Sequence, residues 1–271
     1  MVASHDPITQ WDILRGLRTR YVGRQIVFFP EATSTQEHAQ RLARADALEG
    51  TLVIADSQTV GRGRLGRSWF SPPGVGIHMT VILRPPENVL PFQLTLLSAV
   101  AAAAGISDGT GLFIDIKWPN DLMICGKKAA GILVESQSSG EGMNYAGVGV
   151  GINVNTPFEL FPPELHASAT SLAIEAGRMF ARADIVRAVL GYLEHWYDRL
   201  KEGDGAALLS AYKALNATVG QEVTVTRGDN SWQGVVDDIL DDGTLLLRQP
   251  DGCMIRVAAG DVTVRRWNKQ S

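Results

Sequence analysis

The run Gly147-Val-Gly-Val-Gly-Ile-Asn153 limits the fold of this chain more than any other stretch. Because side chains alternate between the two faces of a β-strand, the valines and Ile152 lie on one face, and the glycines and Asn153 lie on the other. Glycine weakens a strand, so a bare face of this length indicates close approach by a ligand or by another backbone. Tight packing of a helix on that face is the alternative interpretation.

A second glycine-rich segment, Gly61-Arg-Gly-Arg-Leu-Gly-Arg-Ser-Trp69, matches the spacing of the dinucleotide-binding fingerprint. That fingerprint needs a helix directly after the glycines. The residues that follow, 68–74, contain Pro72 and Pro73 and do not begin a regular helix. The segment is therefore interpreted as a guanidinium clamp for a carboxylate or phosphate. A solvated basic loop is the alternative, and the interleaved glycines with the adjacent Trp69 favour the clamp.

The periodicity of apolar residues predicts an α+β fold with a mixed sheet. Ser34 and Glu37 have the spacing of a capping box, which places the start of one helix at Ser34. The helices are predicted at 7–20, from Ser34 to about Gly50, at Phe92–Ala104, from Asp184 through Leu200 and at about Ala206–Leu215. The strands are predicted at Gln25–Phe29, Thr51–Asp56, Gly76–Leu83, Leu112–Trp118, Asp121–Cys125, Ala130–Ser136 and Asn144–Asn153.

The sequence pattern changes at Thr218, from long helical and strand segments to short β-rich runs. Short β-rich runs at 223–226, 232–236, 244–247 and 254–257 are separated by turns rich in glycine, aspartate and asparagine. The spacing of these runs, about five strands in about fifty residues, predicts a small β-barrel. The boundary is placed near Ala217, which gives a larger first unit over residues 1–217 and a barrel over residues 218–271.

The segment Lys117-Trp-Pro-Asn-Asp121 collects a lysine, an amide and a carboxylate at a strand end broken by proline. Asp121 suits Mg²⁺, which prefers oxygen ligands and substrate phosphates. Lys117 suits a carboxylate or a phosphate. A proline-shaped turn with solvated polar residues explains the segment equally well. The nearby pair Lys127 and Lys128 gains a role only if the fold brings it to the arginines of residues 61–69.

Composition excludes several classes of protein. The net charge of −4 over 271 residues is not that of a protein with the broad basic face that nucleic-acid binding needs. The apolar stretch Leu94–Ile106 is too short to span a bilayer, and no apolar signal segment follows Met1. A cytoplasmic protein without DNA or membrane as partner is therefore expected.

Together these motifs resemble the biotin protein ligase family, the biotin–acetyl-CoA-carboxylase ligases. The match runs from about Phe29 to Asn155. The resemblance implies a class II synthetase-like catalytic domain, a mixed sheet flanked by helices, and a C-terminal SH3-like barrel. It is carried by Ser34-Thr-Gln36, by Gln58 with 61–69, by Lys117–Asp121, by Lys128 with Gly131–Glu135, and by Gly149–Asn153.

The resemblance also implies a two-step reaction with biotin, ATP and Mg²⁺. The biotin carboxylate attacks the α-phosphorus of ATP to give biotinyl-5′-AMP and pyrophosphate, and a lysine of a biotin carboxyl carrier protein domain then takes the biotin and releases AMP. Mg²⁺ would be held through the substrate phosphates. The implied catalytic residues are Arg64, Arg67, Lys128 and Asp121. The implied biotin-binding residues are Ser34, Thr35, Gln58, Gly61, Arg62, Arg64, Lys117 and Gly131. The implied ATP- and adenylate-binding residues are Arg64, Arg67, Trp69, Lys117, Asn120, Lys128 and Asn153.

Two alternatives stay open at this point. One is a lipoate or octanoate ligase or transferase, which shares the general fold, and the other is a biotin-sensing protein without turnover. Some members of the family carry an N-terminal DNA-binding domain, and the roughly thirty residues before Thr33 are too few for one. The expectation is a monofunctional ligase that binds no DNA, with a homodimer left open.

Overall fold

The computed structural model describes residues 8–139, 142–258 and 260–264. The helices are α1 (Gln10–Leu14), α2 (Thr35–Arg44), α3 (Pro91–Thr110), α4 (Leu172–Ala176), α5 (Arg182–Lys201) and α6 (Gly205–Leu215). The strands of the first part are β1 (Ile26–Ala32), β2 (Leu52–Gln58), β3 (Gly76–Leu83), β4 (Asp115–Lys117), β5 (Asp121–Ile124), β6 (Lys127–Ser139) and β7 (Gly142–Asn153). The strands of the second part are β8 (Glu222–Arg227), β9 (Asn230–Ile239), β10 (Leu245–Arg248), β11 (Met254–Val257) and β12 (Asp261–Val264).

The first seven strands form one mixed sheet in the order β1-β2-β3-β7-β6-β5-β4. Strands β1 and β2 run parallel because α2 lies between them in the chain, and all other neighbours are antiparallel. The predicted mixed sheet flanked by helices is therefore confirmed.

Side-chain parity on the central strands divides the sheet into two unlike faces. On one face Met79 and Val81 of β3 and Val148 and Val150 of β7 enter the main core. Helix α3 covers this face and packs against α5. Although α3 is long and apolar enough to cross a bilayer, it is largely buried inside the described molecule, as expected for a core helix.

The opposite face of the sheet carries a much smaller core. Helix α2 covers only part of it, with Ala39 and Ala43 packed against Val53, Ile82 and Tyr145. The remainder of this face holds the polar side chains of β3 and the glycines of β7. The uncovered part of the sheet is where the candidate site lies.

The second part of the chain folds as a five-stranded antiparallel sheet in the order β11-β10-β9-β8-β12, which confirms the predicted SH3-like barrel. It contacts the first part through Trp118. The Trp118 backbone N–H donates to Thr218 Oγ1 at 2.9 Å, and its indole Nε1 donates to the carbonyl of Gly243 at 2.9 Å. The barrel therefore holds the segment Lys117–Asp121 in place.

Some helix boundaries differ from those predicted. Helix α1 covers only Gln10–Leu14, because Gly16 adopts a positive φ of 97° shortly after it. Helix α2 ends at Arg44, because Asp46, with φ of 59°, turns the chain toward β2. Helix α3 is longer than predicted, at Pro91–Thr110.

The capping box predicted at Ser34 does not form. Ser34 is the N-cap residue of α2, but its side chain makes no capping hydrogen bond. Glu37 instead accepts hydrogen bonds from Thr33 Oγ1 at 3.1 Å and from Arg41 Nη2, one turn further along α2, at 2.8 Å. The Ser34 hydroxyl is buried and lines the candidate site.

Candidate active site

The glycine–arginine loop, defined here as residues 59–75, joins β2 to β3 and folds back on itself as a short hairpin. The Trp69 N–H donates to the carbonyl of Gly61 at 2.9 Å, and the Gly63 N–H donates to the carbonyl of Arg67 at 2.7 Å. A single turn at Arg64–Gly66 forms its tip. No helix opens after the glycines, so the rejection of a dinucleotide fold is confirmed.

Trp69 explains part of the bare face of β7. A Cβ atom added to Gly151 would lie 2.5 Å from the Trp69 indole, so the ring rests directly on the strand backbone. The other glycines of the run, Gly147 and Gly149, are covered by the Gln36 side chain of α2. Packing of a helix is therefore confirmed over Gly147 and Gly149, whereas at Gly151 the approaching group is the Trp69 side chain of the loop and not another backbone.

A network of neutral polar side chains lies beside α2. Gln58 Oε1 accepts from the Thr35 backbone N–H at 2.8 Å and from its hydroxyl at 3.2 Å, while Gln58 Nε2 donates to Ser71 Oγ at 2.9 Å. Thr80 donates toward Thr35 Oγ1 at 3.0 Å and Gln36 Oε1 at 3.1 Å. The network fixes the orientation of donors and acceptors in a part of the site without formal charge.

A charged cluster lies at the other end of the site. Asp121 pairs with Lys128 at 2.5 Å and with Lys117 at 3.3 Å. Burial raises the pKa of a carboxyl, but Lys128 and Lys117 outweigh this effect and the pKa of Asp121 lies below its ordinary value. At neutral pH Asp121 is therefore a carboxylate that positions two ammonium groups.

Lys128 also joins the charged cluster to the loop. Its Nζ lies 5.5 Å from the centre of the Trp69 ring, within the range of a cation–π contact. A Cβ at Gly131 would lie 3.0 Å from Lys128 Cε and 3.4 Å from Trp69, so glycine at this position leaves room for both side chains.

Arg64 and Arg67 point to different places. Arg64 Nη1 donates to Asn120 Oδ1 at 3.0 Å, and burial lowers the pKa of its guanidinium, which stays charged at neutral pH. Asn120 Nδ2 in turn donates to the carbonyl of Ile132 at 2.7 Å. Arg67 instead is largely exposed and pairs with Asp261 of the barrel. Arg64 is therefore held inside the site, and Arg67 at its border with the second part of the chain.

Two neighbouring cavities meet at Trp69 and Lys128, which line both of them. The first cavity is narrow, about 50 Å³, and the second is wider, about 430 Å³. The predicted residues that line the first are Ser34, Thr35, Gln58, Arg62, Arg64, Trp69, Asn120, Lys128 and Gly131. The predicted residues that line the second are Arg67, Trp69, Lys117, Asp121, Lys128 and Asn153.

Comparisons with known proteins show the family to which the chain belongs. The sequence model of the biotin/lipoate A/B protein ligase family matches residues 28–153, and that of the biotin protein ligase C-terminal domain matches residues 218–265. A bifunctional ligase/repressor BirA of Bacillus subtilis is 38% identical over 247 residues, which is 90% of this chain and 76% of the relative. The chain belongs to the biotin protein ligase family.

Two further relatives bear on the predictions. A biotin–acetyl-CoA-carboxylase ligase of Paracoccus denitrificans is 32% identical and matches over 84% of this chain and 97% of its own length. A biotin protein ligase of Aquifex aeolicus, solved in complex with biotin and ATP, has a TM-score of 0.78 at 28% identity and covers 90% of this chain and 99% of its own. The predicted ligase class and fold are confirmed at the level of the family.

The predicted residues Lys117, Gly61 and Asn153 lie outside the first cavity. Lys117, expected at both biotin and ATP, lines the second cavity and not the first. Gly61 lines neither of the two, and packs between the carbonyl of Trp69 and the Ser71 hydroxyl. Asn153 lines the second cavity, and its Nδ2 donates to the carbonyl of Thr170 at 3.0 Å.

The list of candidate site residues missed His78, Thr80 and Gln36, which all line the first cavity. His78 and Thr80 are polar residues on one face of a strand that is otherwise apolar and buried throughout. This pattern in the sequence indicates a functional position, because buried polar side chains are rare without a partner or a role. Gln36 stood inside a recognised motif but had no role assigned to it.

The residues of the site do not form a protein cage for Mg²⁺. In the described ranges no group of three or more His, Cys, Asp and Glu side chains is placed to hold a metal ion. Asp121, the candidate ligand, has both of its carboxylate oxygens engaged by lysines. This donor set fits an ion that arrives with substrate phosphates, as magnesium ions commonly do, and does not fit one held by the chain alone.

Proposed function

We propose that this chain activates biotin with ATP and transfers it to a lysine of a carrier protein domain. The observation that carries the proposal is the meeting of two unlike cavities at Trp69 and Lys128. One is lined by neutral amides and hydroxyls together with Arg62 and Arg64, and the other borders on Lys117 and Arg67. A reaction that joins a small polar molecule to a nucleotide needs this combination.

The first cavity suits biotin. Biotin has a ureido group, with one carbonyl and two N–H groups, at one end and a carboxylate at the other. The hydroxyl and amide groups of Thr35 and Gln58 match a neutral ureido group, since buried polar groups need fixed partners. The carboxylate end would then lie toward Arg64 and Lys128, where the two cavities meet.

In the first step a biotin carboxylate oxygen attacks the α-phosphorus of ATP, and the bond from that phosphorus to the bridging oxygen of pyrophosphate breaks. Two anions must approach each other, so the site has to offset their repulsion and stabilise the charge that builds up. Arg64 and Lys128 are proposed for this role, with Arg67 and Lys117 near the phosphates. Trp69 and Asn153 are proposed to contact the adenylate.

In the second step the amine of the carrier lysine attacks the acyl carbon of biotinyl-5′-AMP, the bond to the phosphate oxygen breaks, and AMP leaves with that oxygen. The attacking amine loses one proton to solvent as the amide forms. Asp121 is proposed to orient the incoming amine, because its lowered pKa keeps it a carboxylate that accepts hydrogen bonds. Mg²⁺, when bound to the phosphates of ATP, supplies further neutralisation of charge.

A lipoate or octanoate ligase or transferase is the second candidate, because the matching family model includes lipoate ligases. The end of those acyl groups that lies away from the carboxylate is apolar. It would leave Ser34 Oγ, a buried hydroxyl of the first cavity that has no hydrogen-bond partner among the described residues, without a ligand partner as well. The polar lining therefore favours biotin. A biotin-sensing protein without turnover would need the first cavity alone.

The test is incubation of the protein with ATP, Mg²⁺, labelled biotin and a biotin carboxyl carrier protein domain. We expect label on the carrier lysine, and none when ATP is omitted. Label from lipoate or octanoate in place of biotin would support the second candidate. Binding of biotin without any transfer would support the sensing protein. We further propose that the enzyme is cytoplasmic, which cell fractionation checks. We also propose that it binds no DNA, which an assay of DNA binding checks independently.

A further inference from the structure

A buried ion pair lies beneath the glycine–arginine loop, outside the two cavities. Arg182, the first residue of α5, is 2% exposed, and Asp56 of β2 is 6% exposed. Arg182 Nη1 lies 2.8 Å from Asp56 Oδ1. The residues are 126 positions apart in the chain, so the pair joins a helix on one face of the sheet to the strand that leads into the loop.

Both partners also hold the far end of the loop. Asp56 Oδ2 accepts a hydrogen bond from the backbone N–H of Gly74 at 3.1 Å. Arg182 Nη1 donates to the carbonyl of Gly76 at 2.9 Å. Asp56 stands two residues before Gln58, the last residue of β2 before the loop, and Gly74 and Gly76 flank the end of the loop. One ion pair therefore joins the two ends of residues 59–75 to each other and to α5.

The end of the loop is also in contact with the first cavity. A Cβ at Gly76 would lie 2.8 Å from the His78 ring, so this ring packs directly against the backbone that Arg182 holds. His78 lines the first cavity, and Gln58 lines it from the other end of the loop. A displacement of either loop end would therefore move a wall of that cavity.

Stability alone does not account for such a pair. Removing two charges from water costs free energy that their mutual attraction often only just repays, and uncharged replacements of similar volume are frequently as stable. The contacts of this pair go to loop ends, so the physical gain lies in geometry. Displacements of about 1 Å in a site are enough to cost a large factor in rate or binding.

We propose that Asp56 and Arg182 are positioning residues that fix the glycine–arginine loop over the first cavity and so set the affinity for biotin. The proposal rests on the function proposed above. Neither residue contacts the reacting atoms. Their effect passes through Gln58 at the start of the loop and through Gly76 and His78 at its end.

The test replaces both charges at once, in the variant Asp56→Asn/Arg182→Gln, so that no buried charge is left without a partner. We expect the KM for biotin to rise by about tenfold or more, while kcat at saturating biotin stays within about threefold of the parent. The matched control is Arg199→Gln/Asp204→Asn, which neutralises an ion pair that starts on the same helix but lies away from the loop. We expect it to leave the KM for biotin unchanged.

Trypsin supplies a readout that does not depend on catalysis, because Arg62, Arg64 and Arg67 are cleavage sites within the loop. We expect cleavage in residues 59–75 to accelerate by about tenfold in the double variant, with other sites unchanged, because local opening controls cleavage of folded proteins. If the parent protein fails to use biotin, this measurement still tests the pair.

A folded double variant with unchanged loop cleavage and unchanged KM for biotin would overturn the proposal. Equal losses in kcat, in the KM for ATP and in thermal stability would also overturn it, since they would show a general structural role. If the double variant does not fold, Arg182→Lys keeps the charge but loses the planar guanidinium whose Nη1 is held in place to bond both Asp56 and Gly76. We expect this variant to show the same selective rise in the KM for biotin at a smaller size, and an unchanged KM would again reject the proposal.

Discussion

The two sides of the site differ in how they are built. On the side of the first cavity, Thr35, Thr80 and Gln58 belong to α2, β3 and β2, and their hydrogen bonds lie inside the fold. On the side of the second cavity, Lys117 and Arg67 stand at a strand end and in a loop, and Arg67 pairs with the barrel. One side depends on fixed neutral partners and the other on charge.

This difference assigns different physical work to each side. Neutral hydrogen-bonding groups in a rigid frame discriminate between small ligands, because a ligand that lacks the matching groups leaves them unpaired. Clustered cations attract any anion and act most strongly where negative charge develops. Changes on the first side should therefore alter KM for biotin, and changes on the second should alter the rate of the first step.

The largest effect is expected for Lys128→Ala, which removes the cation shared by both cavities. We expect kcat for pyrophosphate release to fall by about 100- to 1,000-fold, with little loss of stability, because the charge acts on the transition state. Lys127→Ala is the matched control, since Lys127 lines neither cavity. Normal pyrophosphate release by Lys128→Ala would show that the charged side does not carry the first step.

His78 is the titratable group beside the neutral hydrogen-bond network of the first cavity, and its charge state can be tested by pH. Burial lowers the pKa of His78 to about 4, against an ordinary value of 6.5. Between pH 6.5 and pH 4 the His78 imidazole is therefore protonated in the unfolded chain but neutral in the folded chain. As the pH falls through this window, the folded state should lose about 3 kcal/mol from this one group.

The measurement is the free energy of unfolding of the parent and of His78→Gln from pH 7 to pH 4. We expect the parent to lose more stability than His78→Gln as the pH falls, because only the parent carries the buried imidazole. His195→Gln, at an exposed position, is the matched control for the loss of a histidine. Parallel curves for His78→Gln and the parent would contradict a neutral, buried imidazole.

Gln58→Ala sharpens the comparison from the neutral side. It removes the acceptor for Thr35 and the donor to Ser71, so we expect the KM for biotin to rise by about tenfold, with kcat changed by less than about threefold. Gln40→Ala is the control, because Gln40 of α2 bonds to Glu135 and lines neither cavity. A fall in kcat without a change in KM would reverse the assignment of the two sides.

The smallest effect is expected for Asp261→Asn, which frees Arg67 from the barrel. The Arg67 partner is largely exposed, and ion pairs open to solvent contribute little, so we expect the KM for ATP to fall by only about two- to threefold as Arg67 becomes available to phosphate. Steady-state kinetics at low salt measure it, with Asp251→Asn as an exposed control in the same barrel. A rise in the KM for ATP would show that the ion pair holds Arg67 where ATP needs it.

Local patterns in the sequence predicted much of this arrangement. The alternation of side chains over residues 147–153 and the turn residues after Thr218 are local features, set by neighbours in the chain. They were sufficient to predict the sheet and the barrel. Parity predicted a bare face on β7 but could not name Gln36 and Trp69 as the side chains on it, because that contact depends on how α2 and the loop fold over the sheet.

Pairings between distant residues were beyond local reasoning. Arg67 meets Asp261 at a separation of 194 residues, and Arg182 meets Asp56 at a separation of 126. A motif lists which charges are present but not which of them neutralise each other. Even for nearby residues the motif did not specify the pairing: Asp121 was considered as a magnesium ligand, whereas the fold engages it with Lys117 and Lys128.

The central claim is that the two cavities bring biotin and ATP together for chemistry at Lys128. The most direct measurement is exchange of labelled pyrophosphate into ATP in the absence of any carrier domain. We expect exchange that requires biotin and Mg²⁺, is absent with lipoate or octanoate, and is strongly reduced in Lys128→Ala. Tight binding of biotin and ATP with no exchange would contradict the claim, as would exchange that does not depend on biotin.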